Sequence, residues 1–598
     1  MTAIAAILRH AAPADGLAVT RMLDAAPHRG GRREVRVVGS CALGIVRLNG
    51  EATSTMGGYG AFAAAVAGTP DNVAELVTTL TAAGAAPASC RAGDVVAAAF
   101  HSYGTDAPSH FRGPVAGIVT DGNSLWGFRD HLGFRPLFYR SDAHAMYVAT
   151  EAKQVVAGAG LPREPDMEVV QRIFFGQTPT DLPSALRGVE RVPQASVLVG
   201  GDARPPACRR YWHPERLLET LRLNPDEVAE RFDALFARAV ARSLTGDDVV
   251  SLSGGVDSPA VAAFAAPLYR EASGRPLAAL SAVFPNHPAV DELPYIEQVV
   301  ESLGLQLHTY SLTARPLDDV ERWCALADGP VPVLSVPQVD EDCRLARELG
   351  FRNILTGEFA EFVCADARNL SAHLLSRGRW IALVRMLRAD RRHGRSWRSL
   401  ARETAIPLLP DGLLRLRAGA TAGRRGFWMP EWVDPRQVNA DSDESGRVPV
   451  EWKTWAVRQL AGLDGAALTL EADEICSAIN GVTTRRPFAD IDFWEFFLGL
   501  PAETKFPDRR PKTLLRRLLR GRVPDAILDR RDKTVFDDHA MSQIDYPTLQ
   551  RLLVDPQHRL PGVDYSSLAT HIERQDFEWF DWLWAKDLAR VHAFLLQW

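Results

Sequence analysis

Ser253-Gly254-Gly255-Val256-Asp257-Ser258 puts hydroxyls, glycines and one carboxylate into a stretch of six residues. An apolar run, Val249-Val250-Ser251-Leu252, precedes it, and a small-residue segment from Ala260 to about Ala272 follows. Strand, glycine-rich turn and helix N-terminus in that order predict an anion site. The glycines let the backbone approach closely, while free N–H groups and the positive end of the helix dipole attract phosphate. Asp257 cannot bind phosphate itself but can hold Mg²⁺ between phosphate oxygens. Ser253 and Ser258 add hydroxyl donors. The pattern is not G-x-x-x-x-G-K-[ST], because no lysine closes the loop.

The chain must supply elements that place this turn. At 598 residues it is too long for one core and predicts two or three domains. With 46% hydrophobic and 24% charged residues it reads as an ordinary globular protein. A net charge of −6 argues against wholesale nucleic-acid binding. Seven scattered cysteines without a C-x-x-C pair predict a reducing compartment, no disulfide framework and no structural zinc. No apolar run approaches a membrane span, and Met1 to Leu8 lacks a signal-peptide core, so a cytoplasmic location is expected.

Residues 1–205 carry short β-like runs among Gly and Pro turns, which predicts packed sheets. A turn-rich boundary follows at Gly200 to Pro206. Over 225–545 strands alternate with helices: Leu277 to Phe284, Leu305 to Tyr310 and Asn353 to Leu355 as strands, Leu293 to Leu303 and Asp340 to Leu349 as helices. That order predicts a doubly wound parallel sheet, whose ligands sit at the carboxyl ends of its strands. Beyond 370 the pattern is mostly helical, and 546–598 forms an aromatic-rich helical extension read as packing on the domain before it. Nine arginines between Arg377 and Arg402, interleaved with apolar residues, predict an amphipathic helix with a basic solvated face.

The six-residue turn resembles the pyrophosphate-binding loop of the ATP-pyrophosphatase families, which attach AMP to an oxygen and release pyrophosphate. Three further segments follow it in the order found in asparagine synthetase-like proteins. They are Thr356-Gly357-Glu358-Phe359-Ala360-Glu361, Arg486-Pro487-Phe488-Ala489-Asp490, and Lys512-Thr513-Leu514-Leu515-Arg516 leading to Arg531-Asp532-Lys533. Gly127 to Tyr139, with Arg129-Asp130-His131-Leu132-Gly133-Phe134-Arg135-Pro136, is similar to that family's glutaminase domain. The resemblance implies a mixed α/β and α+β chain. An N-terminal Ntn-hydrolase-like αββα sandwich would precede a doubly wound ATP-pyrophosphatase domain with a helical C-terminal extension.

Departures from the family pattern matter as much. Thr2 stands where a glutaminase has its cysteine nucleophile, Ala67 where an asparagine supports the oxyanion, and Ala92-Gly93-Asp94-Val95 where glutamine is gripped. Removing one oxyanion donor alone typically costs about 10²–10³ in rate, so the domain reads as a scaffold that no longer frees ammonia. Relatives with that arrangement close an internal amide: β-lactam synthetases and the lasso peptide cyclases, with the latter more similar in length and in the Leu374 to Trp380 run.

The resemblance then implies roles. Ser253, Gly254, Gly255 and Ser258 cradle phosphates; Asp257 binds Mg²⁺; Leu252, Val283 and Phe284 border adenine; Gly357 lies under the ribose. Glu361 stands where relatives have an aspartate metal ligand, with Phe362 replacing its acidic neighbour. Glu358 deprotonates or holds the attacking amine, and Lys533 neutralises charge at phosphorus or at the tetrahedral oxyanion, whereas Lys512 reads as a helix lysine and Arg486 as structural. The cyclase reading implies ATP, Mg²⁺, a precursor peptide, a leader-binding protein and a leader protease, with neither nucleic acid nor membrane as partner. An asparagine synthetase fed by ammonia, a β-lactam-type ligase and a non-catalytic scaffold presenting a peptide remain alternatives.

Overall fold

The computed structural model describes residues 2–10, 12–47, 55–178, 182–201, 205–332, 335–361, 370–392, 394–410, 413, 429–439, 466–506, 512–530, 534 and 536–598. The N-terminal part is two antiparallel six-stranded sheets laid face to face. In one sheet the order is β10 (Glu190–Arg191), β8 (Phe138–Ser141), β9 (Ala145–Ala149), β1 (Ala3–Arg9), β3 (Cys41–Arg47) and β2 (Arg32–Val38). In the other it is β12 (Ala207–Arg210), β11 (Ser196–Gly200), β7 (Leu125–Arg129), β6 (Ala116–Thr120), β5 (Phe62–Ala67) and β4 (Met56–Tyr59). Alternate residues such as Ile4, Leu43, Ile118 and Val148 fill the space between the sheets, as period-two strands require. Helices Val73–Ala82 and Ala92–Tyr103 cover one outer face, and Gly16–Asp24 and Ala152–Ala159 the other. This is the expected αββα sandwich. It runs past the expected boundary at 205, because β12 pairs with β11 through Ser196↔Arg210.

The second part is built on a five-stranded parallel sheet in the order β15 (Gln306–Ser311), β14 (Ala278–Val283), β13 (Asp248–Ser251), β16 (Asn353–Leu355), β17 (Thr483–Arg485). From central β13 the chain winds first to β14 and β15, then returns to β16 on the other side. The strand order reverses there, so a crevice opens at the carboxyl ends of β13 and β16. β17 carries no strand signal in the sequence. It is three residues long and lies over a hundred positions after β16, so only the closed sheet makes it a strand. Helix Val336–Glu348 starts four residues before the expected Asp340, since Pro337 is tolerated in a first turn.

The C-terminal helices Tyr546–Leu553, Tyr565–Arg574 and Trp579–Leu595 do not pack on the second part alone. They share one core with Val169, Ile173 and Phe174 of the sandwich and with Trp323 and Cys324. Trp584 meets Phe174 edge-on at 5.5 Å, and Trp598 donates its indole N–H to the Arg163 carbonyl. Helix Trp380–Arg392 buries Leu383 and Met386 and leaves its arginines exposed, as the amphipathic pattern predicts. Among the described residues no helix is long and apolar enough to cross a membrane, and the six described cysteines are free thiols.

Candidate active site

Two loops meet at the crevice. β13 delivers Leu252 to Ser258, and helix Asp257–Ser273 begins within that turn and ends at Gly274 in the left-handed conformation. β16 delivers Thr356 to Glu361. The two loops touch so closely that a Cβ on Gly357 would lie 2.4 Å from the Ser258 amide nitrogen, so only glycine fits there. Between them opens a cavity of about 370 Å³, lined by Ser253, Asp257, Ser258, Gly357, Glu358 and Glu361 and, from the far wall, by residues of helix Val336–Glu348.

Six of the predicted residues therefore converge on one space. Within the loop the Ser258 hydroxyl accepts from the Ser253 amide at 2.9 Å and lies 3.0 Å from the Ser253 hydroxyl. Gly254 and Gly255 form the turn without lining the cavity. The Gly254 N–H is not free as expected; it donates to Glu292 Oε2 at 2.9 Å. Arg530 ties the same turn down, donating to the Gly254 carbonyl at 2.9 Å and to Glu292 at 2.8 Å while lying 4.2 Å over the Tyr295 ring. Leu252 is in the core with its N–H on the Leu280 carbonyl. Val283 ends β14, and Phe284 packs against Phe536 and His539, so neither lines the cavity. Lys533 and Phe362 lie outside the described residues.

Two cations read as structural stand at the site instead. Lys512 is not inside a helix. It sits just before Thr513–Leu518 in a left-handed backbone conformation, φ 63°, and its ammonium pairs with Asp257 Oδ2. Arg486 follows β17 and donates to Glu358 Oε2 at 2.5 Å and to Asp473 Oδ2 at 2.6 Å. Burial works against the Arg486 charge, but Glu358 and Asp473 more than offset it and raise its pKa. The sequence offered only a cation adjoining Pro487; a contact over a hundred residues apart leaves no local pattern.

Asp342 is the other residue missed. It faces the cavity from helix Val336–Glu348 and accepts a hydrogen bond from the Tyr310 hydroxyl. Burial pushes its carboxyl up to about 7, against the pull of that hydrogen bond. Asp473 is likewise pushed up to about 7 by burial, with Arg486 opposing. Glu361 is raised by burial and by the Asp257 carboxylate, with Lys512 opposing. Asp342 and Glu361 thus both bring raised carboxyls to the cavity wall.

Asp257 Oδ1 is buried and has no hydrogen-bond partner, while Oδ2 is held by Lys512. An orphaned buried carboxylate oxygen beside Glu361 fits a magnesium ion, which typically takes only one or two protein carboxylates and completes its shell with phosphate and water.

An antiparallel sandwich joined to a doubly wound sheet with a Ser-Gly-Gly turn at its switch point is a two-part architecture with a candidate phosphate site in its second part. Comparison with known proteins agrees. A family model described as "Asparagine synthase" matches residues 231–592, and one described as "Glutamine amidotransferase domain" matches 1–212. The chain belongs to the asparagine synthase family and is an ATP-dependent carbon–nitrogen ligase of that kind. Asparagine synthetase [glutamine-hydrolyzing] 3 of Bacillus subtilis is 26% identical over 462 residues, covering 72% of this chain and 69% of its own. Amidase chyE of Penicillium rubens is 26% identical over 47% of this chain and 44% of its own. A putative asparagine synthetase of Mycobacterium tuberculosis is 29% identical over 29% of this chain and 28% of its own. The family match ends at residue 592, inside helix Trp579–Leu595.

Proposed function

We propose that this ligase closes an amide within a peptide, as lasso peptide cyclases do. A side-chain carboxylate oxygen of an Asp or Glu in the peptide attacks the α-phosphorus of ATP, and pyrophosphate leaves. The peptide's own N-terminal amine then attacks the acyl carbon, the carbon–oxygen bond to AMP breaks, and the proton shed by nitrogen passes to Glu358. Ser253, Ser258 and the N-terminus of helix Asp257–Ser273 cradle the phosphates. Asp257 and Glu361 would hold Mg²⁺, which when bound neutralises phosphate charge. Lys512, beside Asp257, and Lys533, assigned by resemblance, supply positive charge where negative charge develops. Arg486 fixes the Glu358 carboxylate facing the cavity. Holding amine and acyl adenylate in one pocket supplies effective molarities of about 10⁵–10⁸ M, which suits ring closure.

The observation that carries this reading is the cavity itself, where an orphaned Asp257 oxygen, Glu358 and Asp342 share one space. Anionic walls beside a phosphate loop suit an amine as the second reactant. The sandwich supports an internal rather than a glutamine-derived amine. By resemblance, Thr2 replaces the cysteine nucleophile and Ala67 the oxyanion asparagine, and Asp94, near where glutamine would be gripped, is occupied by the Gly58 amide and the Ser89 hydroxyl. On this reading the protein works in the cytoplasm with a precursor peptide, a leader-binding protein and a leader protease, and contacts neither nucleic acid nor membrane.

The test offers candidate precursor peptides with ATP and follows pyrophosphate and product mass. Peptide-dependent pyrophosphate release with loss of one water from the peptide is expected. Brisk glutamine deamidation, or no ATP turnover with any acid, overturns the reading. Asparagine made from aspartate and ammonia would favour the second reading, an ammonia-fed asparagine synthetase, to which the similarity to the Bacillus subtilis enzyme lends support.

A further inference from the structure

One aromatic ring of the sandwich reaches the loop that carries Glu358. Phe134 follows Gly133, which has φ 76°, in a turn fixed by Asp130. The Asp130 carboxylate accepts from the Phe134 amide at 3.0 Å and from the Arg135 amide at 2.9 Å. The Phe134 ring lies 5.1 Å from that of Phe359, the residue after Glu358, and the Arg486 guanidinium lies over its face at 5.5 Å. Phe359 holds φ 75°, a left-handed conformation that bulky side chains rarely adopt and that persists only where surroundings enforce it. Its ring is wedged between Phe134 and Trp494, 6.2 Å away.

A second set of contacts holds the other side of Arg486. Its partner Asp473 lies on helix Ala466–Asn480 between Glu471 and Glu474. Four buried arginines of the sandwich grip those two carboxylates: Arg191 at 2.9 Å and Arg129 at 3.7 Å on Glu471, Arg29 at 3.1 Å and Arg135 on Glu474. The domain thus fixes both the helix bearing Asp473 and the ring beneath Arg486, and Arg486 in turn grips Glu358.

We propose that Phe134 is a positioning residue of the amide-forming step, which gives the glutaminase-like domain a part in synthesis through Arg486 and Phe359. The proposal rests on the preceding reading, in which Glu358 serves the attacking amine. Replacing the ring by leucine keeps bulk but removes the π face under the guanidinium, whereas tyrosine keeps it.

The experiment compares wild type, Phe134→Leu and Phe134→Tyr by peptide-dependent ATP–pyrophosphate exchange, by single-turnover amide formation, and by hydrogen exchange over residues 356–361. In Phe134→Leu, amide formation is expected to fall about tenfold or more, since a slight misplacement of a reacting group is costly. Pyrophosphate exchange is expected to stay within about twofold, because the phosphate loop is untouched, and tyrosine restores the wild-type rate. Faster hydrogen exchange at Glu358 and Phe359 accompanies the loss. Equal loss of both half-reactions, failure of tyrosine to rescue, or unchanged hydrogen exchange overturns the proposal. A wild type inert towards every acid sinks the preceding reading instead, and the placement of Glu358 by Phe134 then stands or falls on hydrogen exchange alone.

Discussion

The two halves treat their polar side chains in opposite ways. In the sandwich, buried carboxylates are spent on structure. Asp94, close to where glutamine would be gripped, accepts from the Gly58 amide at 3.0 Å and from the Ser89 hydroxyl at 2.5 Å. A Cβ on Gly57 would strike it, so that corner is filled. Glu151 is likewise shared by His28, Arg29 and Lys153. In the parallel-sheet half, Asp257, Glu358, Glu361 and Asp342 all face open volume, and one Asp257 oxygen has no partner. Buried unsatisfied polar atoms occur in both halves, but that of Asp257 belongs to a residue lining the cavity beside the phosphate turn. The contrast locates the chemistry in one half and leaves the other to support it.

The contrast is tested most severely at Asp257. Asp257→Ala removes the carboxylate that would carry the metal, and substrate-dependent pyrophosphate release should fall about 10³-fold or more, with little change in melting temperature. Retained turnover would move the phosphate site elsewhere. The ionic seam between the halves comes next. Glu474→Ala removes the carboxylate that the buried Arg29 and Arg135 guanidiniums share, while Arg29 keeps Glu151, so a loss of about 1.5–3 kcal/mol in denaturant unfolding is expected.

Asp342 probes the cavity wall by pH. Its pKa in the fold, about 7, lies above the ordinary 3.8. Protonated Asp342 therefore contributes stability that is complete below the ordinary value and is lost as pH rises through 7. Asp342→Asn should accordingly raise the melting temperature at pH 8, by about 2–4 kcal/mol of stability, and the gain should vanish near pH 4. A gain independent of pH would show that the carboxyl titrates normally. The smallest effect belongs to Thr2. Thr2→Ala should leave amide formation unchanged within about twofold, since an amine carried by the peptide needs no glutamine hydrolysis; a large loss would return a nucleophile to the sandwich.

Much of this was legible beforehand because it is local. The short β-like runs within residues 1–205, the strand-to-helix turn at Ser253 to Ser258 and the doubly wound order each follow from neighbours in the chain. Lys512, Arg486, Asp342 and Asp473 were not legible as site residues. Lys512 reads as a helix lysine until its partner Asp257, over 250 positions earlier, is brought alongside.

Residue order alone thus dictated the strand periods, the phosphate turn and the absent thiol at position 2, since each depends on a few consecutive side chains and their backbone preferences. Closure of the sheet decided the rest: that β17 exists, that Arg486 reaches Glu358, that Phe134 of one half wedges a strained loop of the other. Electrostatic and steric effects of that kind depend on distance in space, and separations of over a hundred residues are set only when the chain packs.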